Sequence, residues 1–277
     1  MKILITGSNG FIGKNMIKYF KKLGHDIIGM DWPFNWALPW DSIDHVIHCG
    51  AISSTTERNA DKLYDRNYKF TIELVARCAK NKIPIQYSSS ASVYGFGKSP
   101  EDFKEGSNNK SPMNGYAWSK FYLDKYMTHL YAEFGTKIQG FRYFNVYGPM
   151  EEHKGDQASP VTKFYDQAIN QKYIKLFKNS DRYVRDFIHV EDICKVHEKM
   201  IGKPSGIYNV GTGITTSFET IALAIADKLG EVEIDYVVMP EELKGQYQDY
   251  TCSHTGKLQN LIDMSFKKVE DYINYEL

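Results

Sequence analysis

Cysteine is scarce in this 277-residue chain, with four residues, Cys49, Cys78, Cys194 and Cys252. None forms a CxxC pair or a metal-ligand spacing, so no metal site and no disulfide scaffold is expected. Reduced, mostly buried thiols in a cytoplasmic protein are the expectation. An excess of one charge is also missing, since Lys plus Arg and Asp plus Glu both number 34, and this argues against nucleic-acid or membrane partners. No apolar run approaches the ~18 residues that a membrane helix needs. The opening MKILITG is strand-like and lacks the layout of a signal peptide, and no internal repeat or low-complexity segment is visible. What is present is an ordinary globular composition, 42% apolar and 25% charged, at a length that suits one large domain or two small ones. The 20 tyrosines by themselves imply packed rings with satisfied hydroxyls and nothing more.

Strand and helix signals alternate through the first half. Lys2 to Thr6 reads as a short buried strand, and Phe11 to Leu23 as a helix with Phe11, Ile12, Met16, Ile17 and Phe20 on one face. A second strand over Ile27 to Met30 ends on Asp31 and completes a βαβ unit, which predicts parallel strands with right-handed crossovers. Strands over His45 to Ala51, Ile83 to Ser88 and Ile138 to Phe144 alternate with helices over Asp61 to Asn81 and Asn114 to Glu133. This is the pattern of an α/β, Rossmann-type doubly wound parallel sheet, expected over residues 1–150 with a strand returning near 186–211.

Beyond Pro149 the pattern changes to a polar loop (Glu151 to Pro160), a helix (Val161 to Gln171) and strands at Ile174 to Phe177, Ile207 to Gly211 and Glu233 to Met239. Thr216-Ser-Phe-Glu219 reads as a capping box for a helix over Ser217 to Leu229, and Lys267 to Tyr275 as a terminal helix. Residues 151–277 are expected to form mainly a smaller C-terminal substrate-binding lobe.

The first strand runs into Gly7-Ser-Asn-Gly10-Phe11-Ile12-Gly13. Three glycines at this spacing are a weak signal alone. With a strand before, a helix after and an acidic residue about 20 positions on, they describe a dinucleotide site. Gly7 suits the tight turn, Gly10 the approach of backbone to a pyrophosphate, and Gly13 close helix–strand packing, with the helix N-terminus facing the phosphates. Asp31 can accept from ribose hydroxyls and would repel a 2′-phosphate, and Trp32 to Asp44 carries no Lys or Arg to offset it. NAD is therefore favoured, with NADP as the alternative.

Tyr116 and Lys120 form a YxxxK pair, and Ser88-Ser-Ser90-Ala-Ser-Val-Tyr-Gly95 precedes it. A tyrosine of unperturbed pKa near 10 is a poor base at neutral pH. A lysine at i+4 shares its helix face and would favour the phenolate. The same ammonium can hold the nicotinamide ribose, and the Ser90 hydroxyl can hydrogen-bond the reacting oxygen. Together they suit removal of a hydroxyl proton while a hydride leaves the same carbon. YxxxK by chance is common, and a lone Tyr116 would be a packed surface aromatic; the company of the other two motifs decides for catalysis.

With these motifs, and with His48-Cys-Gly-Ala51, Asn67-Tyr-Lys-Phe-Thr71, Phe141-Arg-Tyr-Phe-Asn-Val-Tyr-Gly-Pro149 and Arg185-Asp-Phe-Ile-His-Val190, the chain resembles the extended short-chain dehydrogenase/reductases of the nucleotide-sugar epimerase and dehydratase type over nearly its full length. The resemblance implies an isomerase with a bound nicotinamide. It places Cys49, Gly50, Ala51, Asn67 and Val146 along the cofactor. On the substrate side it places Asn145 and Arg185, whose planar guanidinium fork suits a diphosphate. The bland reading of Arg185-Asp186 is a surface ion pair.

Ser53-Ser-Thr-Thr-Glu57, the continuation His153-Lys154-Gly155 and Leu243-Lys-Gly-Gln-Tyr-Gln248 are similar to one branch, the ADP-heptose 6-epimerases. That branch implies Tyr116 and Lys154 as two acid/base groups, Lys120 as the cofactor-orienting cation and Tyr247 as a substrate contact. Without the family, Glu151-Glu-His-Lys154 is a solvated charged loop and His153 an exposed loop histidine. The chain departs from the branch with Asp156 and Lys163 at substrate contacts, Phe177-Lys-Asn-Ser180 on the phosphate side, Met150 in place of a basic residue, and a short segment from Asp31 to His45. A UDP-hexose 4-epimerase is the chief rival. A 4,6-dehydratase fits less well, because Ala91-Ser92 rather than an Asp-Glu pair follows Ser90. A non-catalytic cofactor-binding protein would have shed Tyr116 or Lys120. The expected partner is a nucleotide-sugar, and the family implies a homo-oligomer built through the helices over 61–81 and 114–133.

Overall fold

The structure, a computed structural model, describes residues 1–277 except Asn109, Ala132, Phe134 and 242–247. In chain order its elements are β1 (Lys2–Thr6), α1 (Phe11–Lys22), β2 (Asp26–Met30), β3 (His45–His48), α2 (Ala60–Leu63), α3 (Phe70–Lys80), β4 (Ile85–Ser90), α4 (Gly115–Leu130), β5 (Ile138–Tyr143), β6 (Asn145–Tyr147), α5 (Pro160–Gln171), β7 (Tyr173–Phe177), β8 (Val184–His189), α6 (Val190–Met200), β9 (Gly206–Val210), β10 (Thr215–Ser217), α7 (Phe218–Leu229), β11 (Glu233–Val237), β12 (Tyr250–Thr251), α8 (Gly256–Gln259) and α9 (Val269–Tyr275). They form two compact units, one of Met1–Val93, Lys110–Tyr143 and Cys194–Tyr208, the other of Tyr94–Asn109, Phe144–Ile193 and Asn209–Leu277.

The first unit is built on a sheet of order β2-β1-β3-β4-β5-β9. β1 pairs in parallel with β2 and with β3, and β4 in parallel with β3 and with β5. Ile3, Leu4 and Ile5 are all fully buried, as a parallel strand covered on both faces requires. α1 buries Phe11, Met16 and Phe20, while Ile12 and Ile17 are half-buried. Leu74 and Val75 of α3 and Leu123 and Met127 of α4 share a core cluster with Leu4, Val46, Ile85 and Ile138 of the sheet. Because β2 and β3 lie on opposite sides of β1, the switch point of the topology falls at the end of β1, where a doubly wound sheet opens a ligand crevice.

Two details differ from the periodicity. β3 ends at His48 rather than Ala51, because its partner β1 ends at Thr6; the Cys49 N–H makes the last bond, to the Thr6 carbonyl (3.2 Å), and the chain then passes close to Gly7. The helix expected over 61–81 is interrupted by a π-helical turn, Tyr64–Lys69, between α2 and α3. Such turns re-aim side chains locally; here Asn67 is wholly buried.

In the second unit β8 is flanked by β10 and β12 and also pairs with β6, and β7 pairs in parallel with β11. Val161 and Ala168 of α5, Ile221 and Ile225 of α7, and Val269 and Ile273 of α9 meet in one cluster. The capping box at Thr216 and Glu219 is not formed. Ser217 is the N-cap, accepting from the Thr220 N–H at 2.9 Å, while the Thr216 hydroxyl donates to Glu270 at 3.0 Å and Glu219 accepts from Tyr236. The strand β10, which pairs Thr216 with Arg185, turns Thr216 away from the helix end. The expected polar loop at 151–160 folds into 3₁₀ turns over Glu152–Gln157 with a kink at Gly155. No described helix is long and apolar enough to cross a membrane.

Candidate active site

β1 hands the chain to the glycine turn. Gly7 sits at φ +68°, in the left-handed region, and a Cβ there would come within 2.6 Å of the Gly50 backbone. A Cβ on Gly13 would fall on the Gly7 carbonyl, so the two close approaches require glycine. Gly10 is the N-cap of α1 and carries no side-chain cap, so the positive end of the helix dipole lies at the glycine turn. Asp31, beyond β2, accepts from the Asn9 N–H (2.9 Å) on one oxygen and from the Trp32 N–H (2.8 Å) on the other.

Beside this turn lies a cavity of about 150 Å³, lined among others by Gly7, Asp31, Trp32, Gly50, Ala51 and Arg66. The Arg66 guanidinium lies 3.5 Å from the centroid of the Trp32 ring. The segment from Trp32 to Asp44 has no cation of its own, and the inference that nothing offsets Asp31 is corrected here: the π turn brings Arg66 to the same wall. No spacing rule in the sequence links positions 32 and 66. Asn67, beside it, uses its amide on protein: the oxygen accepts from the Ile52 N–H (2.8 Å), and the nitrogen donates to the Ile52 carbonyl (3.0 Å) and the Ser119 hydroxyl (3.0 Å). It thus shapes the segment after β3 from behind. Burial pushes the Cys49 thiol up to about 12, against a hydrogen bond with Ser88 and the charge of Lys120. His48 bridges the Thr6 hydroxyl (2.6 Å) and the Thr71 hydroxyl (2.8 Å). Burial lowers it to about 3, and it stands as a neutral ring.

The helix α4 is started by Asn114, whose side-chain oxygen accepts from the Ala117 N–H at 2.9 Å. It carries Tyr116, Lys120 and Asp124 at successive i+4 positions. Lys120 is buried; its ammonium donates to the Ser88 carbonyl at 2.8 Å and stands 6.0 Å from the Tyr116 ring centroid. Burial lowers Lys120 to about 8, with the Asp124 charge acting in the other direction. The Tyr116 phenol is raised above its ordinary value, chiefly by desolvation, against a hydrogen bond from Ser90. The spacing argument has Lys120 favouring the phenolate; here desolvation outweighs any such effect, and the hydroxyl of Ser90 is the group that opposes it. Asp124 escaped sequence reasoning although it repeats the Tyr-to-Lys spacing. It receives the Arg142 Nε–H at 2.7 Å and the Tyr87 hydroxyl at 3.1 Å.

Asn145, Arg185 and the other described residues expected on the substrate side, Ser90 apart, belong to the second unit. Asn145 donates to the Asp186 carbonyl (3.2 Å) and the Thr251 hydroxyl (3.3 Å), and Val146 follows it, half-buried, opposite Ile188. The Arg185 guanidinium donates to the Val184 carbonyl (2.9 Å) and the Gln248 carbonyl and lies 5.4 Å from the Phe218 ring centroid. The surface-pair reading of Arg185-Asp186 is overturned. Asp186 is fully buried and accepts from the N–H and hydroxyl of Thr212, the N–H of Gly213 and the N–H and hydroxyl of Ser253.

Lys163, Phe177 and Ser180 line a cavity of about 320 Å³ with Tyr183 and Phe218. Ser180 is buried there, and its hydroxyl has no hydrogen-bond partner among the described residues. Lys163 also borders a second cavity of about 540 Å³ that includes Asp156, whose carbonyl accepts from the Lys163 ammonium at 3.5 Å. Lys154 is partly exposed and its ammonium lies 3.1 Å from a carboxylate oxygen of Glu151. Glu151 is wholly buried, which corrects the reading of this segment as a solvated charged loop. Tyr247 lies outside the described residues.

The model of the NAD dependent epimerase/dehydratase family matches residues 3–38 and 36–211. The chain belongs to that family. It is 34% identical over 289 aligned residues, 93% of this chain and 90% of the other, to the ADP-L-glycero-D-manno-heptose-6-epimerase of Brachyspira hyodysenteriae. Its fold is similar to the crystal structure of the Helicobacter pylori ADP-L-glycero-D-manno-heptose-6-epimerase, with a TM-score of 0.86, 27% identity, and coverage of 99% and 94% of the two chains. The UDP-N-acetylglucosamine 4-epimerase of Methanobrevibacter ruminantium, 20% identical, shares the fold with a TM-score of 0.86 over 99% and 96% of the chains.

NAD is the cofactor of this epimerase/dehydratase family. The residues fit it: a Cβ at Gly7 or Gly13 would collide with backbone, the start of α1 carries no side-chain cap, and a cavity with an aromatic wall stands beside Asp31. In such a site Gly7, Gly10 and Gly13 would hold the pyrophosphate, Asp31 the adenosine ribose and Lys120 the nicotinamide ribose.

Proposed function

We propose that this chain is an NAD-dependent nucleotide-sugar epimerase that inverts C6″ of an ADP-linked glyceromanno-heptose. The observation that carries the reaction type is the buried Lys120 one turn of α4 from Tyr116, its ammonium 6.0 Å from the Tyr116 ring centroid and held by the Ser88 carbonyl at 2.8 Å. The sugar rests on the two heptose-6-epimerase relatives.

The nicotinamide supplies a hydride acceptor and donor when bound. Tyr116 takes the proton of the C6″ hydroxyl, and Ser90 hydrogen-bonds the reacting oxygen, so that charge developing there is met by a fixed donor. Lys120 is held by the Ser88 carbonyl, and with a pKa near 8 it remains mostly a cation at neutral pH. Lys154 serves as the second acid/base group, for the opposite hydroxyl configuration. Asn145 and Arg185 hold the substrate, with Asp156, Lys163, Phe177 and Ser180 lining its nucleotide and phosphate side. A cytoplasmic location follows from such a substrate.

The expected assembly is a homo-oligomer. In the first unit α4 and the π turn leave Trp118, Tyr122, Tyr126 and Tyr64 exposed, with Trp118 stacked on Tyr122 and Tyr64 on Tyr68. An aromatic surface of this kind is what an interface between copies would cover.

NMR of the purified protein with ADP-D-glycero-D-manno-heptose and no added cofactor, beside UDP-glucose, tests the reading. Formation of the L-glycero epimer supports the 6-epimerase and a retained cofactor. Galactose formation without heptose conversion would move the chain to the UDP-hexose 4-epimerases. No conversion of either sugar, with NAD or NADP added, would remove the assignment.

A further inference from the structure

We infer that Glu151 is a positioning residue for Lys154, fixing the ammonium in the geometry that turnover needs. The inference rests on the acid/base role proposed above for Lys154.

Burying an ionised carboxylate is costly unless it is paired and hydrogen-bonded. Glu151 has no exposed surface, and both of its oxygens accept hydrogen bonds. One accepts from the Ser159 N–H at 2.8 Å and from the Lys154 ammonium at 3.1 Å, the other from the Thr162 hydroxyl at 2.9 Å. Ser159 is the N-cap of α5 and Thr162 lies in its first turn. The carboxylate therefore sits at a helix N-terminus, where the dipole favours an anion, and it is anchored to a 12-residue helix rather than to a free loop.

The backbone delivers Lys154 to this anchor. The Lys154 N–H bonds the Glu151 carbonyl at 2.9 Å, closing a tight turn. Met150 at φ +72° and Gly155 at φ +51° bend the chain on either side of it. A lysine stem is long and flexible, with ~2 kcal/mol of rotamer entropy, and an acid/base group displaced by ~1 Å can lose ~100-fold in rate. A rigid buried carboxylate three residues away removes that freedom at the ammonium itself.

A purely structural role, in which Glu151 only closes the start of α5, predicts different kinetics. Steady-state turnover should be measured for Glu151→Gln, Lys154→Met and the double variant, with melting temperature and retained cofactor as controls. We expect E151Q to lower kcat at least ~10-fold with KM within ~3-fold, and to have no further effect on kcat in the K154M background, since residues acting as a unit are non-additive. Glu151→Asp, which keeps the charge but withdraws it by one methylene, should recover part of the lost kcat. It provides the same comparison if E151Q does not fold.

If E151Q, or E151D in its place, lowers kcat by the same factor with and without Lys154, or leaves kcat unchanged while K154M is inactive, the positioning role is overturned and the catalytic lysine stands. If K154M turns over at the wild-type rate, the reading of Lys154 itself falls, and the positioning role with it.

Discussion

Asp124 accepts the Nε–H of Arg142 at 2.7 Å, and both side chains are almost fully buried. One helical turn upstream, Lys120 is lowered to about 8 by burial while the Asp124 charge raises it. As pH rises through about 8 the lysine loses its charge, so turnover is expected to fall on the alkaline side. In Asp124→Asn the opposing charge is gone, Lys120 titrates lower, and the alkaline limb of the pH–kcat profile should move to lower pH. The variant also takes the carboxylate partner from the buried Arg142, at ~3–5 kcal/mol, so the profile is best taken at low temperature with folding monitored by circular dichroism. An unmoved limb would show that Lys120 is not the group that sets it.

Arg66 should matter to cofactor choice. Its guanidinium lies over Trp32 on the wall that also carries Asp31. A charge-assisted bond to a phosphate is worth ~1.5–3 kcal/mol, so Arg66→Ala is expected to weaken NADP binding ~10-fold or more and NAD binding much less. Calorimetric titration of both dinucleotides into cofactor-stripped protein measures this directly. Equal losses for the two would assign Arg66 to aromatic packing alone.

Three buried histidines of the first unit predict acid lability. Burial lowers His48 and His197 to about 3 and His45 to about 4, from an ordinary 6.5. His197 stands between the Tyr143 hydroxyl at 2.6 Å and the Gln86 side-chain oxygen at 2.9 Å; the latter can only accept, so Nδ1 carries the single proton. Between pH 6.5 and these lowered values the unfolded chain binds more protons than the folded one, so stability falls as pH falls. At pH 5 each site removes ~2 kcal/mol. The contribution of these histidines to melting temperature should be constant above pH 7 and fall steeply below 6. A flat profile down to pH 4 would contradict the neutral assignment.

Asp186 is expected to be a stability residue of the second unit. In Asp186→Asn one acceptor oxygen becomes a donor and faces either the Thr212 N–H or the N–H groups of Gly213 and Ser253, which the two oxygens now receive separately. Each buried donor left without a partner costs ~1–3 kcal/mol. Urea denaturation should give a midpoint well below that of the parent, whereas replacement of the exposed Asp156 should leave it nearly unchanged.

What the sequence determined by itself was local. The apolar run of β1, the glycines that follow it and the i+4 step from Tyr116 to Lys120 are set by φ/ψ freedom, by helix pitch and by strand period, all readable within a few residues. The alternation of strands and helices then left few topologies for the first unit. Tertiary structure decided the rest, because burial and pairing depend on partners far away in the chain. It sank Glu151 against the start of α5, surrounded Asp186 with donors from the Thr212 and Ser253 segments, and gave Asp124 a cation from β5. It set Arg66 on Trp32 through a π turn that no period announces. It ended β3 three residues early, at the point where its partner β1 also ends. A charged residue's type says that it needs a partner; only packing says which one, and whether water is there to stand in for it.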